Sequence, residues 1–182
     1  MSSDWAVWHA ACQGHEASAV QLVRRLTPQA MGLARQLLPR WEDAEDAVQE
    51  SFLRLWGAQP SDTRGAALAT YFNTIVINRC KSWLVRRQEL STDPEQLAEW
   101  IDADSPREGS GESAVEALDA PRLQAAMLRL PARQRMALAM WAYADADVSQ
   151  IARSLDIDAN AAHQLLHRAK SALRRGLQET PS

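Results

Sequence analysis

The stretch from Asp43 to Trp56 constrains the fold of this chain more than any other segment. It reads Asp-Ala-Glu-Asp-Ala-Val-Gln-Glu-Ser-Phe-Leu-Arg-Leu-Trp. On a helix that turns about 100° per residue, one apolar stripe contains Ala44, Val48, Phe52, Leu55 and Trp56. The opposite face carries Asp43, Asp46 and Glu50, with Leu53 alone among them. This face fits either of two interpretations. It is a solvated helix face whose acids interact favourably with the helix macrodipole near its N-terminus, or it is a docking surface for a basic protein partner.

The composition favours an all-α fold. Alanine and leucine far outnumber the β-branched residues, only 7 of 182 residues are glycine, and strand-like alternation is nearly absent. The two cysteines, Cys12 and Cys80, lie far apart and outside any paired-cysteine metal spacing, which is typical of a reducing compartment. We find no signal peptide and no apolar run that could span a bilayer, so we expect a cytoplasmic protein without membrane contact.

The net charge of −3 hides a division along the chain. Counting Lys and Arg against Asp and Glu, residues 1–90 have a net charge of +1, residues 91–120 of −8 and residues 121–182 of +4. The acidic middle segment also contains Pro94, Pro106, Gly109, Ser110 and Gly111. We therefore expect two small helical domains, 1–90 and 121–182, joined by a flexible acidic linker at 91–120.

Apolar spacing and helix breakers predict five helices in the first domain. They span 5–13, 16–26, Pro28 to about Leu38, the Asp43–Trp56 stretch and about Ala66 to Gln88. The segment Gly57–Gly65 reads as a loop. The last helix carries polar and cationic side chains without a single acid: Asn78, Arg79, Lys81, Ser82, Arg86 and Arg87. Such side chains suit phosphate contacts and base reading. The alternative is that the arginines only stabilise the helix, because cations near a helix C-terminus interact favourably with its dipole.

The second domain ends in a predicted helix-turn-helix. Val148–Leu155 and a helix from Ala159 to about Gln178 flank the turn Asp156-Ile157-Asp158, after two helices at 123–130 and 132–144. The outward face of the last helix carries Asn160, His163, Gln164, His167, Arg168, Lys170, Arg174 and Arg175, with no acid before Glu179. This pattern predicts a DNA recognition helix with phosphate-binding cations, while a basic helix that only aids solubility is the alternative.

The wording of these segments resembles that of extracytoplasmic-function (ECF) sigma factors, the small promoter-recognition subunits of bacterial RNA polymerase. For the Asp43–Trp56 helix, the resemblance implies docking on the clamp helices of the largest polymerase subunit. The implied docking residues are Asp43, Asp46, Gln49, Glu50, Leu53 and Arg54. The segment Leu130–Ala169 resembles the domain of the family that binds the minus-thirty-five element.

The helix from Ala66 to Gln88 resembles the promoter-melting and minus-ten-recognition helix of the family. This implies that Tyr71 and Phe72 lie beside the opening duplex, and we also expect Asn73 to bind DNA. It also implies that the loop Gly57–Gly65 captures a flipped base of the non-template strand. The chain departs from the commonest family residues at several positions, where it has Ile77, Ser82, Asp156, His163 and Leu165.

We therefore expect a sigma factor that binds core RNA polymerase and directs promoter-specific initiation, in a stress or envelope response under an anti-sigma factor. It needs no cofactor and no catalytic residues. The alternatives are a sigma-like decoy that sequesters an anti-sigma factor and a free-standing helix-turn-helix repressor. His9, Cys12 and His15 rotate around a helix without a fourth ligand, and His163 and His167 share the predicted DNA face, so no metal site is expected.

Overall fold

The computed structural model describes residues 3–62, 65–87, 89–90 and 120–179. Within these ranges the chain forms eight α-helices and no strand, which confirms the all-α prediction. The N-terminal half contains α1 (Asp4–Cys12), α2 (Glu16–Leu37), α3 (Trp41–Ala58) and α4 (Leu68–Arg86). The C-terminal half contains α5 (Ala120–Arg129), α6 (Ala132–Tyr143), α7 (Val148–Leu155) and α8 (Ala159–Gln178). The predicted linker, 91–120, lies outside the described residues except for Ala120, which begins α5.

The predicted break at Pro28 is wrong, because α2 runs through this proline as one helix. A proline inside a helix costs about 3 kcal/mol, since it removes a backbone hydrogen bond and crowds the preceding turn. The buried stripe of α2 nevertheless keeps its helical spacing across Pro28, with Leu22, Leu26, Ala30, Leu33 and Leu37. Each fully buried leucine contributes about 2 kcal/mol, so packing against α1, α3 and α4 outweighs the cost of the proline.

Helices α3 and α4 pack against each other in the N-terminal half. The predicted apolar stripe of α3 faces inward, with Ala44, Val48 and Leu55 buried and Phe52 and Trp56 half-buried. The ring centres of Phe52 and Phe72 lie 4.5 Å apart, so an aromatic contact joins the two helices.

The predicted helix-turn-helix is present as α7 and α8. Asp147 begins α7 with a capping box, in which its side chain accepts from the Gln150 amide at 2.8 Å and the Gln150 side chain accepts from the Asp147 amide at 2.8 Å. Asp156 ends α7 in the left-handed region, with φ of 55°, a conformation that aspartate tolerates better than most residues. Asp158 then caps α8 by accepting from the Ala161 amide at 2.8 Å.

The two halves pack directly against each other, an arrangement that the sequence did not predict. Helix α2 contacts α5 and α6, and α4 contacts α6. The Tyr143 hydroxyl accepts from the Gln36 amide nitrogen at 2.9 Å and donates to its amide oxygen at 3.1 Å. The buried apolar side chains of both halves belong to one continuous cluster. Among the described residues, no helix is long and apolar enough to cross a membrane.

Candidate polymerase and DNA interfaces

The part of the acidic face of α3 around Leu53 is open to solvent. Leu53 is the most exposed of the large apolar side chains in the described residues, at 75% of its surface. Asp46, Gln49 and Arg54 are exposed around it. Leucine at this exposure gains little from packing within the chain, so a partner that covered it would add apolar burial without disturbing the core.

The other two predicted docking residues form ion pairs with α4. An oxygen of the Asp43 carboxylate lies 2.6 Å from Nη2 of Arg87, and one of Glu50 lies 3.5 Å from Nη1 of Arg79. Asp43 is buried, whereas the Glu50 side chain keeps 43% of its surface. The sequence carries a signal for this pairing, because acids seven apart and arginines eight apart match across two antiparallel helices. Two predicted docking residues and two predicted DNA-binding residues thus neutralise each other in this structure.

Other polar and cationic side chains at the C-terminal end of α4 contact one another within the helix or just after it. Arg79 donates to the Ser82 hydroxyl at 3.2 Å, and this hydroxyl donates to the Asn78 carbonyl at 3.0 Å. The guanidinium groups of Arg86 and Arg87 lie 5.0 and 5.8 Å from the centre of the Trp83 ring. Arg86 is exposed and Asn78 faces solvent, so both are accessible to DNA.

One face of α4 is covered by the C-terminal half. Asn73 keeps only 4% of its surface and donates to the Tyr143 carbonyl at 3.0 Å. One turn further on, Ile77 is buried beside Met140 and Ala144 of the other half. After another turn, Lys81 donates to the Ser154 carbonyl at the end of α7. Positions 73, 77 and 81 lie on one helix face, so the chain itself occupies part of the surface predicted to contact DNA.

The two predicted aromatic residues of α4 differ in exposure. Phe72 keeps 1% of its surface and packs on Phe52, so it has no access to DNA while this core is closed. Tyr71 is half-buried and lines an open groove of about 610 Å³ between α3 and α4, together with Leu53, Arg54, Gly57, Asn78 and Arg79. Predicted docking and DNA-binding residues therefore share one groove.

The outward face of α8 is more open than that of α4. Asn160, His163, His167 and Arg174 are exposed, while Gln164, Arg168 and Lys170 are half-buried. The Lys170 ammonium lies 3.5 Å from the centre of the Trp141 ring, and partial burial lowers the pKa of this lysine. The cation–π contact fixes Lys170 at the edge of the predicted DNA face.

Some of the basic charge in the C-terminal half supports helix ends and does not face the solvent. Arg135 is buried and donates to the carbonyls of Leu128 and Leu130 at 3.1 and 3.3 Å, at the end of α5. Arg122 donates to the Leu177 carbonyl at 2.7 Å near the end of α8. Cations at helix C-termini satisfy orphan carbonyls. Burial lowers the pKa of Arg135, while the negative charge of Glu89 opposes this shift. The net charge of +4 thus overstates the charge available for DNA.

The residues considered as metal ligands do not converge. His9 and Cys12 are exposed on α1, and a ring nitrogen of His15 is paired with the Ala10 carbonyl at 3.0 Å. In the part of the chain that the structure describes, no three His, Cys, Asp or Glu side chains are grouped to hold a metal ion.

Family models match both halves. A model of sigma-70 region 2 matches residues 22–89, and a model of sigma-70 region 4 matches residues 121–173. An ECF RNA polymerase sigma factor SigM, from two strains of Mycobacterium tuberculosis, is 29% identical over 155 residues, which cover 85% of this chain and 74% of the relative.

A solved structure shares the fold. The sigma factor RpoE from Bartonella quintana, crystallised in complex with the anti-sigma factor NepR, matches with a TM-score of 0.55 at 20% identity. The match covers 88% of this chain and 97% of that one. With sigma-70 region 2 matched in its N-terminal half and sigma-70 region 4 matched in its C-terminal half, this chain belongs to the sigma-70 family, and it is similar to the ECF members of that family.

Proposed function

We propose that this sigma factor docks on core RNA polymerase through the exposed face of α3 around Leu53 and reads promoter DNA through α4 and α8. The observation that carries the docking role is Leu53, exposed at 75% amid acidic and amide side chains. A basic partner surface that covers this leucine gains apolar burial and complementary charge. The chain itself supplies no chemistry in this proposal, because the polymerase forms the phosphodiester bonds in the cytoplasm.

The proposal assigns different parts of the promoter to the two halves. The N-terminal half, 1–90, melts and reads the minus-ten element, and the α3–α4 connection captures a flipped base. The C-terminal half, 121–182, reads the minus-thirty-five element through α8. The segment 91–120 joins the two. Each half has an exposed arginine on the helix that this proposal assigns to DNA: Arg86 on α4 and Arg174 on α8.

In the packed arrangement, the C-terminal half occupies residues of α4 that the proposed function assigns to DNA. Asn73 and Lys81 cannot bind the C-terminal half and promoter DNA with the same donor atoms at the same time. We infer that α4 must leave α6 and α7 before it contacts the minus-ten element. Control by an anti-sigma factor agrees with this condition, because a protein that binds only the packed arrangement stabilises it by mass action.

In vitro transcription tests the function. Purified chain and core polymerase should give specific transcripts from promoters selected from a randomised library. Leu53→Arg should weaken core binding at least 100-fold, because a like charge desolvated against a basic surface costs several kcal/mol. Val20→Arg is the matched control, since Val20 is also exposed, at 44%, but lies on α2. Circular dichroism should show an unchanged fold for both variants.

Two outcomes contradict the proposal. Wild-type core affinity in the folded Leu53→Arg variant would remove α3 from the docking surface. A wild-type chain that binds an anti-sigma factor yet yields no transcript from any selected promoter would indicate the decoy function instead.

A further inference from the structure

Helix α1 lies outside the part of the chain that the region 2 model matches, 22–89, and yet it contacts the α3–α4 connection at two points. The indole nitrogen of Trp5 donates to the Ala66 carbonyl at 2.8 Å. The indole nitrogen of Trp8 donates to the Pro60 carbonyl at 2.9 Å. We propose that Trp5 and Trp8 are positioning residues that hold the two ends of this connection, at Pro60 and Ala66, for base capture. The inference rests on the function proposed above.

The two hydrogen bonds from α1 reach the α3–α4 connection near its beginning and near its end. Trp5 and Trp8 are three residues apart, so they share one face of α1. Their acceptors, Pro60 and Ala66, lie on either side of the middle of the connection. The described residues of the connection are 59–62 and 65–67. One rigid helix face therefore fixes the separation of the two ends.

The backbone of the connection needs such external donors. Gln59 and Gly65 both have positive φ angles, 43° and 66°, so the chain turns sharply on leaving α3 and again before α4. Carbonyls in such irregular segments lack the partners that a helix provides. An indole is well suited to supply them, because it offers one N–H donor and no acceptor from a large, rigid ring.

Helix α1 is itself anchored on the N-terminal half. Trp8 keeps 1% of its surface, and its ring meets Trp56 of α3 edge to face, with centres 5.2 Å apart. An ion pair of 2.8 Å between Asp4 and Arg25 ties the beginning of α1 to α2. Because α1 is fixed in this way, the two indole donors hold Pro60 and Ala66 against the N-terminal half.

Rigidity at this place affects DNA recognition in a specific manner. Capturing a flipped base costs a few kcal/mol of unstacking, and a pocket that must also be ordered on binding loses further affinity. Holding Pro60 and Ala66 in advance reduces the second cost. Loss of an indole donor should therefore weaken capture of the single-stranded base and flatten the preference among bases, while contacts to upstream duplex DNA stay the same.

The test uses Trp5→Phe and Trp8→Phe in the full chain bound to core polymerase. Phenylalanine keeps an aromatic ring but removes the N–H donor. Trp5→Phe is the primary variant, because Trp5 is half-buried, whereas Trp8 is fully buried and its replacement also leaves a cavity. Trp41→Phe is the matched control, since Trp41 is exposed on α3 and stacks on Arg35, with 4.9 Å between the guanidinium and the ring centre.

Two DNA probes are compared by fluorescence anisotropy. The first is a fork-junction DNA with a single-stranded non-template minus-ten segment, selected from a randomised pool with the wild-type holoenzyme. The second is the fully double-stranded upstream part of the same DNA. Each Trp→Phe variant should bind the fork about two- to tenfold more weakly, the effect of one lost hydrogen bond, with reduced base discrimination in the single strand. Core binding and affinity for the duplex probe should equal those of Trp41→Phe.

The outcomes separate this inference from the function on which it rests. Wild-type fork affinity and base preference in both variants would overturn the positioning role. An equal loss on both probes and in core binding would also overturn it, because that pattern indicates general destabilisation. If the wild-type holoenzyme itself does not prefer the fork to the duplex, the proposed minus-ten function fails, and the inference fails with it.

Discussion

Helices α4 and α8 share a sequence pattern but differ in what covers them. Both are long, carry several cations and lack acids within their bounds, Leu68–Arg86 and Ala159–Gln178. The polar face of α4 is partly covered by α6 and α7, through Asn73 and Lys81. The outward face of α8 exposes Asn160, His163, His167 and Arg174. An acid-free basic helix in a sequence therefore predicts a surface that tolerates DNA, but it does not predict what occupies this surface in the free protein.

Ile77 explains part of the difference. It keeps 1% of its surface and faces residues of the C-terminal half, at one of the positions where the chain departs from the residues that its resemblance to the family implies. An arginine there would put a charge into an apolar contact, which is costly without a partner. The isoleucine instead gains apolar burial when the two halves pack.

Ile77→Asp is expected to have the largest effect on this comparison. A buried, unpaired carboxylate costs several kcal/mol, and the chain escapes this cost by separating its halves. The radius of gyration from small-angle scattering should increase, while the helix content measured by circular dichroism stays the same. Val85→Asp is the control, because Val85 lies on the same helix and keeps 51% of its surface. An unchanged radius for a folded Ile77→Asp variant would mean that this side chain does not hold the halves together.

The arginines of the C-terminal half should separate into two groups. Arg135→Met removes donors to the carbonyls of Leu128 and Leu130 and should lower the free energy of unfolding by about 1–3 kcal/mol in urea titrations. DNA affinity of the folded variant should remain unchanged. Arg174→Ala should do the reverse, with weaker DNA binding and a stability change within about 0.5 kcal/mol. DNA binding that depends on Arg135 more than on Arg174 would contradict this division.

His163→Arg should have the smallest effect. His163 is exposed on α8, and a permanent cation there should tighten binding to any DNA sequence. The slope of log K against log salt should steepen by about 0.9, the value for one additional phosphate contact. Fluorescence anisotropy of the full chain with duplex DNA over a range of salt concentrations measures this slope. A changed base preference with an unchanged slope would instead indicate that residue 163 contacts a base edge.

Within the described residues, periodicity and local chemistry were enough to predict the helices, apart from the break predicted at Pro28 and shifts of up to three residues at helix ends. Capping residues such as Asp147 and Asp158, and the left-handed turn at Asp156, depend on near neighbours, so the helix-turn-helix could be read from the sequence. The continuity of α2 could not, because the packing that offsets the cost of Pro28 comes from other helices.

Contacts between distant segments were the part that the sequence did not predict. The ion pairs from Asp43 and Glu50 to α4, the Tyr143 contacts to Gln36 and the indole donors of α1 join residues that are far apart in the chain. Each also satisfies polar groups that a sequence pattern would assign to solvent or to a partner. The exposed face of α3 around Leu53 was predictable because its signal lies within a single helix.

The requirement that α4 leave the C-terminal half can be tested by bridging the halves reversibly. Thr74 and Ala146 line the same cavity of about 230 Å³ between α4 and the C-terminal half. Cysteines at both positions, in a Cys12→Ser background, can be bridged by a short bis-methanethiosulfonate reagent. Cys80 should not react, because burial raises the pKa of its thiol to about 12. The bridged protein should give no promoter-specific transcripts with core polymerase, and reduction should restore them. Full transcription by the bridged protein would contradict the account.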